Sequence, residues 1–178
     1  MILATDVQYA ETTALAAGLL FSDWKSDVVK NVVLKNINKI EPYQAGAFYK
    51  RELPCILALL DDVDIKLDAI IIDGYVTLGK EEKEGLGMHL YKAIRQSTPI
   101  IGVAKKSFIG TPENCQILRG KSKNPLYITA VGLSLQESKQ LISNMHGNNR
   151  LPTLLKKVDQ LCRGFSWEVE GCLKNVPQ

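Results

Sequence analysis

The chain has 178 residues, of which 46% are hydrophobic and 23% charged, and a formal net charge of +3. This composition excludes disorder or a collagen-like repeat for the bulk of the chain. A chain of this length buries roughly 70% of its unfolded surface, so it needs neither metal nor disulfide to hold a core. The mild positive charge allows a nucleic-acid partner without arguing for one.

The elements follow in chain order. Ile2 to Tyr9 reads as a short strand holding Asp6. Thr12 to Phe21 is apolar and small, and fits strand or helix by pattern alone. Val28 to Leu34 is β-branched and strand-like. Short connections between the three predict an antiparallel meander. Phe48, Cys55, Ile56, Leu59, Leu60 and Val63 then recur at helical spacing, with Pro54 expected in or near the first turn. Ala69 to Ile72 is an unbroken apolar run closed by Asp73-Gly74, the signature of a strand covered on both faces. Leu86, Leu90, Ala93 and Ile94 mark a second helix. Pro99 to Ala104 is another buried strand, ending at Lys105-Lys106, and Tyr127 to Val131 is a further one. Ser134-x-x-Glu137 is a capping box opening a third helix. The last helix spans Thr153 to Cys162. Three meandering strands followed by alternating helices and parallel strands predict an α/β, ribonuclease H-like domain with a central mixed sheet, over residues 1–178.

Cys55, Cys115, Cys162 and Cys172 form no C-x-x-C pair. They read as buried free thiols in a reducing compartment, with a Cys162–Cys172 bridge left open. The N-terminus lacks the basic region of a signal peptide, and no apolar run approaches the roughly 20 residues of a membrane span. The expected location is cytoplasmic, with no membrane partner.

Four carboxylates carry the chemistry. Asp6 sits in an apolar strand, where a charge needs a partner or a metal. Glu52 falls on the line of Phe48, Ile56 and Leu59, on the core-facing stripe of its helix. Asp73 ends a strand that looks central, at the carboxyl end where open α/β sheets hold ligands. Asp159 lies at the border of the last helix's apolar stripe. Singly, each has an ordinary explanation as a turn, first-turn or boundary acid. In a ribonuclease H-like arrangement all four point to one place, and they cannot stay ionised together there without divalent cations. Hard oxygen ligands suit Mg²⁺ or Mn²⁺ rather than zinc. Such a set is built for metal-assisted phosphodiester hydrolysis. Lys105 follows a buried strand and stands where it would meet a scissile phosphate, whereas Lys106 reads as solvated. His89 lies on a helix face, where a core histidine is the commoner explanation. The chain has no P-loop, no G-x-G-x-x-G after a strand, no H-E-x-x-H and no G-x-S-x-G.

These residues resemble the endonuclease V family. The matching stretches are Thr5-Asp6-Val7-Gln8-Tyr9, Phe48-Tyr49-Lys50-Arg51-Glu52-Leu53-Pro54 and Ile71-Ile72-Asp73-Gly74. They continue with Gly85-Leu86-Gly87-Met88-His89-Leu90, Pro99-Ile100-Ile101-Gly102-Val103-Ala104-Lys105 and Arg150-Leu151-Pro152, in the family's order. The resemblance implies cleavage of nucleic acid at the second phosphodiester bond 3′ to a deaminated purine, usually inosine. It implies metal-binding and catalytic roles for Asp6, Glu52 and Asp73, a metal-binding role for Asp159, and a phosphate contact for Lys105. Tyr43, Gly74, Tyr75 and His89 become the expected substrate-binding residues. Two departures accompany the match. The family's strand-separating wedge, Pro-Tyr-Ile/Val-Pro, is Pro42-Tyr43-Gln44-Ala45 here. Its Asp-Gly-His-Gly is Asp73-Gly74-Tyr75-Val76, and Val76 is expected to narrow the space an extruded base would enter.

The leading expectation is a Mg²⁺-dependent endonuclease, with Mn²⁺ able to substitute, acting on inosine-containing DNA or RNA. A metal-dependent nuclease with a different damaged, branched or RNA substrate, and a nucleic-acid-binding protein without hydrolysis, remain open beside it.

Overall fold

The computed structural model describes residues 1–40 and 49–165. Tyr43 and the rest of the altered wedge, Phe48 and Cys172 fall outside the described residues, and with them the wedge contact and the Cys162–Cys172 pairing. Cys55, Cys115 and Cys162 are buried, as expected.

Three strands open the chain: β1 (Ile2–Tyr9), β2 (Ala14–Phe21) and β3 (Asn31–Ile37). They form the expected meander, β1 pairing antiparallel with β2 and β2 with β3. β3 begins three residues later than predicted, leaving Val28 54% exposed and outside the strand. The delay has a local cause. Asp23 Oδ1 accepts from the Lys25 amide at 2.9 Å and Ser26 Oγ from the Val28 amide at 3.0 Å, so side chains hold the connection as turns before pairing resumes.

Helix α1 (Tyr49–Leu60) carries Pro54 just past its first turn, near its expected place. The missing proline N–H leaves the Lys50 carbonyl without its helical donor, and Lys50 is exposed to water that can supply one. β4 (Ala69–Ile72) is buried along its whole length. A small hairpin, β5 (Thr77–Leu78) and β6 (Lys83–Glu84), precedes α2 (Leu86–Ala93). Then come β7 (Ile100–Ala104), a 3-10 turn at Glu113–Cys115, β8 (Gln116–Ile117), β9 (Leu126–Val131), α3 (Leu135–Asn144) and α4 (Thr153–Cys162). The capping box closes as predicted, Ser134 Oγ accepting from the Glu137 amide at 3.2 Å.

Seven strands form the main sheet in the order β3-β2-β1-β4-β7-β9-β8. β1, β4 and β7 run parallel, whereas β9 pairs antiparallel with β7. No crossover helix lies between β7 and β9, so the chain returns from the end at which it left. This is the expected ribonuclease H-like α/β fold.

The sheet is covered on both faces, and strand alternation decides which residues go where. Ile2, Ala4, Ile71, Ile101 and Val103 pack under α4 with Leu154, Leu155, Val158 and Leu161. Leu3, Val7, Ile70 and Ile72 pack under α1 and α2 with Cys55, Ile56, Leu59, Leu86 and Leu90. Asp6 continues the Ile2–Ala4 series and Asp73 the Ile71 series, so both side chains belong to the α4 side of the sheet.

Candidate active site

Pairing places the first two acids together. Thr5 lies opposite Ile72 in the parallel β1–β4 ladder. One residue on, Asp6 and Asp73 stand side by side where β4 ends. α4 crosses the same side of the sheet and contributes Asp159, beside the buried Leu155, Val158 and Cys162. One carboxylate oxygen from each of Asp6, Asp73 and Asp159 lies within 4.8 Å of the others, a spacing that one ion can bridge.

Lys105 leaves the neighbouring end of β7 and reaches into this group. Its Nζ donates to Asp73 Oδ2 at 2.7 Å and to Asp159 Oδ1 at 2.8 Å. Arg163, one turn after Asp159, donates to the same Asp159 oxygen at 3.2 Å. Asp6 Oδ1 accepts from the Val7 amide at 2.8 Å.

Glu52 comes from the opposite side. It lies on α1, across the sheet from α4, and therefore stands next to the aspartates without joining their 4.8 Å cluster. It is only 4% exposed, and its Oε2 accepts no hydrogen bond from the described residues.

The charges set the protonation of each acid. Burial pushes the Asp6 carboxyl up, and Asp73 adds to this against the pull of Lys105, leaving its pKa at about 7. Burial, then Asp6 and Asp73, hold Glu52 well above the usual carboxylate range. Burial also acts upward on Asp159, but the hydrogen bond and charge of Lys105, helped by Arg163, outweigh it and hold Asp159 low. For Lys105, burial favours the neutral form, and Asp73, Asp159 and Asp6 together overcome it and keep the ammonium charged.

The donor set thus fits a divalent cation. It offers only hard carboxylate oxygens, beside a crevice of about 20 Å³ lined by Asp6, Asp73 and Lys105, and the undonated buried Glu52 Oε2 adjoins it from α1.

A larger cavity of about 330 Å³ opens on the other side of Asp73. Glu52, Asp73, Gly74, Tyr75, Leu86 and Phe108 are among its walls, so it adjoins the acids directly. Gly74 has φ +157° and lines this space without a side chain. His89 stands behind the wall: its ring stacks on Tyr49 at 3.7 Å between centroids, and its Nδ1 lies 3.8 Å from Glu84. Tyr49 and Glu84 line the cavity and His89 does not. Val76 does not narrow it. It is fully buried beneath the α2 N-terminus, its amide donates to Thr129 Oγ1 at 2.8 Å, and a Cβ on Gly87 would meet its Cγ2 at 2.6 Å. The valine fills space under the helix rather than in the opening.

Sequence reasoning did not find Arg119. Its guanidinium is buried and donates to five backbone carbonyls, those of Ser143, Met145, Gly147, Asn149 and Arg150. Arg150, held within that loop, donates onward to the carbonyls of Pro125 and Lys105. A loop's carbonyls have no residue signature, so no spacing in the sequence points to this clamp.

Residues 1–144 match the family model described as Endonuclease V. The endonuclease V of Pyrococcus horikoshii is 28% identical over 178 residues, covering 99% of this chain and 77% of the relative. The endonuclease V of Pyrococcus abyssi is 30% identical over 173 residues, covering 97% of this chain and 84% of the relative. Among solved structures, the fold matches that of Ciona intestinalis endonuclease V with a TM-score of 0.68 at 17% identity, over 91% of this chain and 84% of that one. The Ciona protein was crystallised with a 24mer DNA containing an inosine followed by a ribo-adenosine.

Proposed function

The chain belongs to the endonuclease V family, and from that premise we propose that it is a metal-dependent endonuclease hydrolysing a phosphodiester bond 3′ to inosine in DNA or RNA. The observation that carries this reading is the meeting of Asp6, Asp73 and Asp159 within 4.8 Å, with Lys105 bonded into the group and an open cavity beside it.

Asp6, Asp73 and Asp159 would hold Mg²⁺, or Mn²⁺ in its place, with Glu52 facing the same group from α1. When bound, the ion supplies a Lewis acid that activates water and stabilises the departing oxygen. The chain's own residues do the rest. Asp6 must lose its proton to become a ligand, and the cation's charge also favours ionised Glu52 beside it, so binding of the ion is coupled to proton release from both. Lys105, once released from Asp73 and Asp159, is a mobile ammonium placed to contact the scissile phosphate as a point charge. The cavity walled by Gly74, Tyr75, Leu86 and Phe108 takes the flipped or unpaired base, at an unstacking cost of a few kcal/mol. Apolar and aromatic walls suit a planar purine.

The test uses labelled single-stranded DNA and RNA oligonucleotides with one inosine, incubated with the protein and Mg²⁺ or Mn²⁺. The expected result is a product cut on the 3′ side of the inosine, absent from an Asp73→Ala control and from the same oligonucleotide with adenosine. Equal product from the Asp73→Ala variant would overturn the reading.

A further inference from the structure

Tyr75 is expected from the sequence to touch substrate, yet its hydroxyl is already engaged. It donates to the Lys106 carbonyl at 2.8 Å and accepts from the Phe108 amide at 3.2 Å. Both partners belong to the loop that leaves β7 directly after Lys105. The same loop is closed at its far end by Thr111, whose amide and hydroxyl both donate to the Phe108 carbonyl, at 3.0 and 2.8 Å. The Phe108 ring meets the Tyr75 ring edge-on at 6.4 Å, and Tyr75 in turn leans on Tyr127 at 6.5 Å. On its other side the loop lies against the turn of the β5–β6 hairpin. A Cβ on Gly79 would approach the Ile109 carbonyl to 3.2 Å, and Gly79 itself holds φ +68°. Phe108 therefore reaches the cavity from a loop pinned between a glycine turn and a phenol. Tyr75, Leu78 and Phe108 all line that cavity.

We propose that Tyr75 is a positioning residue for nucleobase selection: its hydroxyl latches residues 106–108 and so holds the Phe108 ring as a fixed wall of the cavity beside Asp73. This deepens the nuclease reading and rests on it. The hydroxyl has no lone role toward the base; it acts through Phe108. Rigid placement of an aromatic wall favours a planar purine by sparing the ordering of the loop on binding. The latch couples the base cavity to the strand end that carries Lys105, because the latched carbonyl belongs to the next residue.

The test is Tyr75→Phe, which keeps the ring and its edge-on packing and removes both hydrogen bonds. Two measurements are made on the full chain. Hydrogen exchange, followed by mass spectrometry on peptides covering residues 105–111, is expected to speed up there and stay unchanged in β1 and β4. Binding in chelator is compared for a single-stranded oligonucleotide carrying one inosine and for the same strand with an abasic site. The inosine Kd is expected to rise roughly three- to tenfold, the scale of one or two lost hydrogen bonds, with the abasic Kd unchanged. Unchanged exchange overturns the latch. Equal weakening toward both strands overturns its role in base selection. Wild-type protein that binds the two strands equally overturns the inosine reading instead, and the Asp73→Ala cleavage control then shows whether hydrolysis survives without it.

Discussion

Lys105 and Asp73 stand at the ends of adjacent parallel strands with Nζ and Oδ2 2.7 Å apart. The ammonium is thus an internal counter-ion, placed among the carboxylates that a divalent cation would need. The same lysine serves the proposed chemistry only when it lets go of them. Competition between the two cations is the direct consequence.

Replacing Lys105 with Met removes the internal competitor while keeping the stem. Titration calorimetry with Mn²⁺ is expected to give a tighter Kd, by roughly tenfold for one lost charge contact near carboxylates. Cleavage of the inosine strand is expected to fall by about 10² or more, the scale of losing one group that stabilises transition-state charge. The metal-free variant should also melt lower, since Asp73 and Asp159 lose their partner, and Mn²⁺ should restore it. Weaker Mn²⁺ binding would show that the ammonium helps assemble the site rather than competing for it.

Metal-free stability should fall as pH rises, the reverse of ordinary carboxylate behaviour. Asp6 has a folded pKa of about 7 against 3.8 for the free side chain. The fold therefore prefers the protonated acid, and its contribution is lost as pH climbs from about 4 to about 7, with an upper bound of about 4 kcal/mol. Glu52 shifts in the same direction. Asp159 is shifted the other way, but its contribution is lost only as pH falls through a value below the usual carboxylate range. Melting in chelator is expected at a higher temperature at pH 5.5 than at pH 7.5. Asp6→Asn should flatten that slope, and saturating Mg²⁺ should stabilise more at pH 7.5 than at pH 5.5. A metal-free protein equally stable at both values would contradict the charge arrangement.

Glu52 offers a separation of function from stability. Its buried Oε2 lacks a donor among the described residues, so as a carboxylate it costs the metal-free fold free energy. Glu52→Gln removes the charge in nearly the same volume. The expected outcome is a rise of a few degrees in the chelator melting temperature at pH 8, together with a loss of about 10² or more in metal-dependent cleavage. A variant that is both less stable and fully active would assign Glu52 a structural role only.

Asp6, Glu52, Asp73 and Lys105 were legible because each sits at a place that strand or helix periodicity defines. Alternation along β1 and β4 puts Asp6 and Asp73 on one side of the sheet, and α1's stripe turns Glu52 inward. Periodicity within an element is silent about the layer to which that element docks. Convergence of all four acids was therefore readable only as a single point, whereas α1 and α4 lie on opposite sides and leave Glu52 beside the aspartate cluster. The direction of β9 was not legible for a similar reason: an apolar run has no polarity, and only the missing crossover helix reverses it. Val76 shows the limit for substitutions against a family pattern. A larger residue suggested a smaller opening, but the side chain points into the packing against Gly87. The short β5–β6 hairpin and β8 are two residues per strand, too brief for any alternation to register.

Arg119 lay furthest from sequence reading and makes the sharpest stability prediction. Five carbonyls depend on one guanidinium, and they belong to the end of α3 and to the loop leading into α4. Gly120 helps to lock the same loop, since a Cβ there would collide with the Asn148 carbonyl at 2.1 Å. Arg119→Met strands the buried Met145 carbonyl and leaves the part-buried others to water, and is expected to cost about 1–3 kcal/mol in denaturant unfolding, the range for one unsatisfied buried acceptor. Arg119→Lys, with three donors on a flexible stem, should recover only part of that loss. The loop also supplies Arg150, which holds the Lys105 carbonyl, and runs into the helix bearing Asp159. Single-turnover cleavage measured well below each variant's melting temperature should therefore fall in the same order, wild type above Lys above Met. Cleavage should also stop responding to Arg119 in a Lys105→Met background if the clamp acts through that lysine. A further drop there would route the effect through the placement of α4 and Asp159 instead.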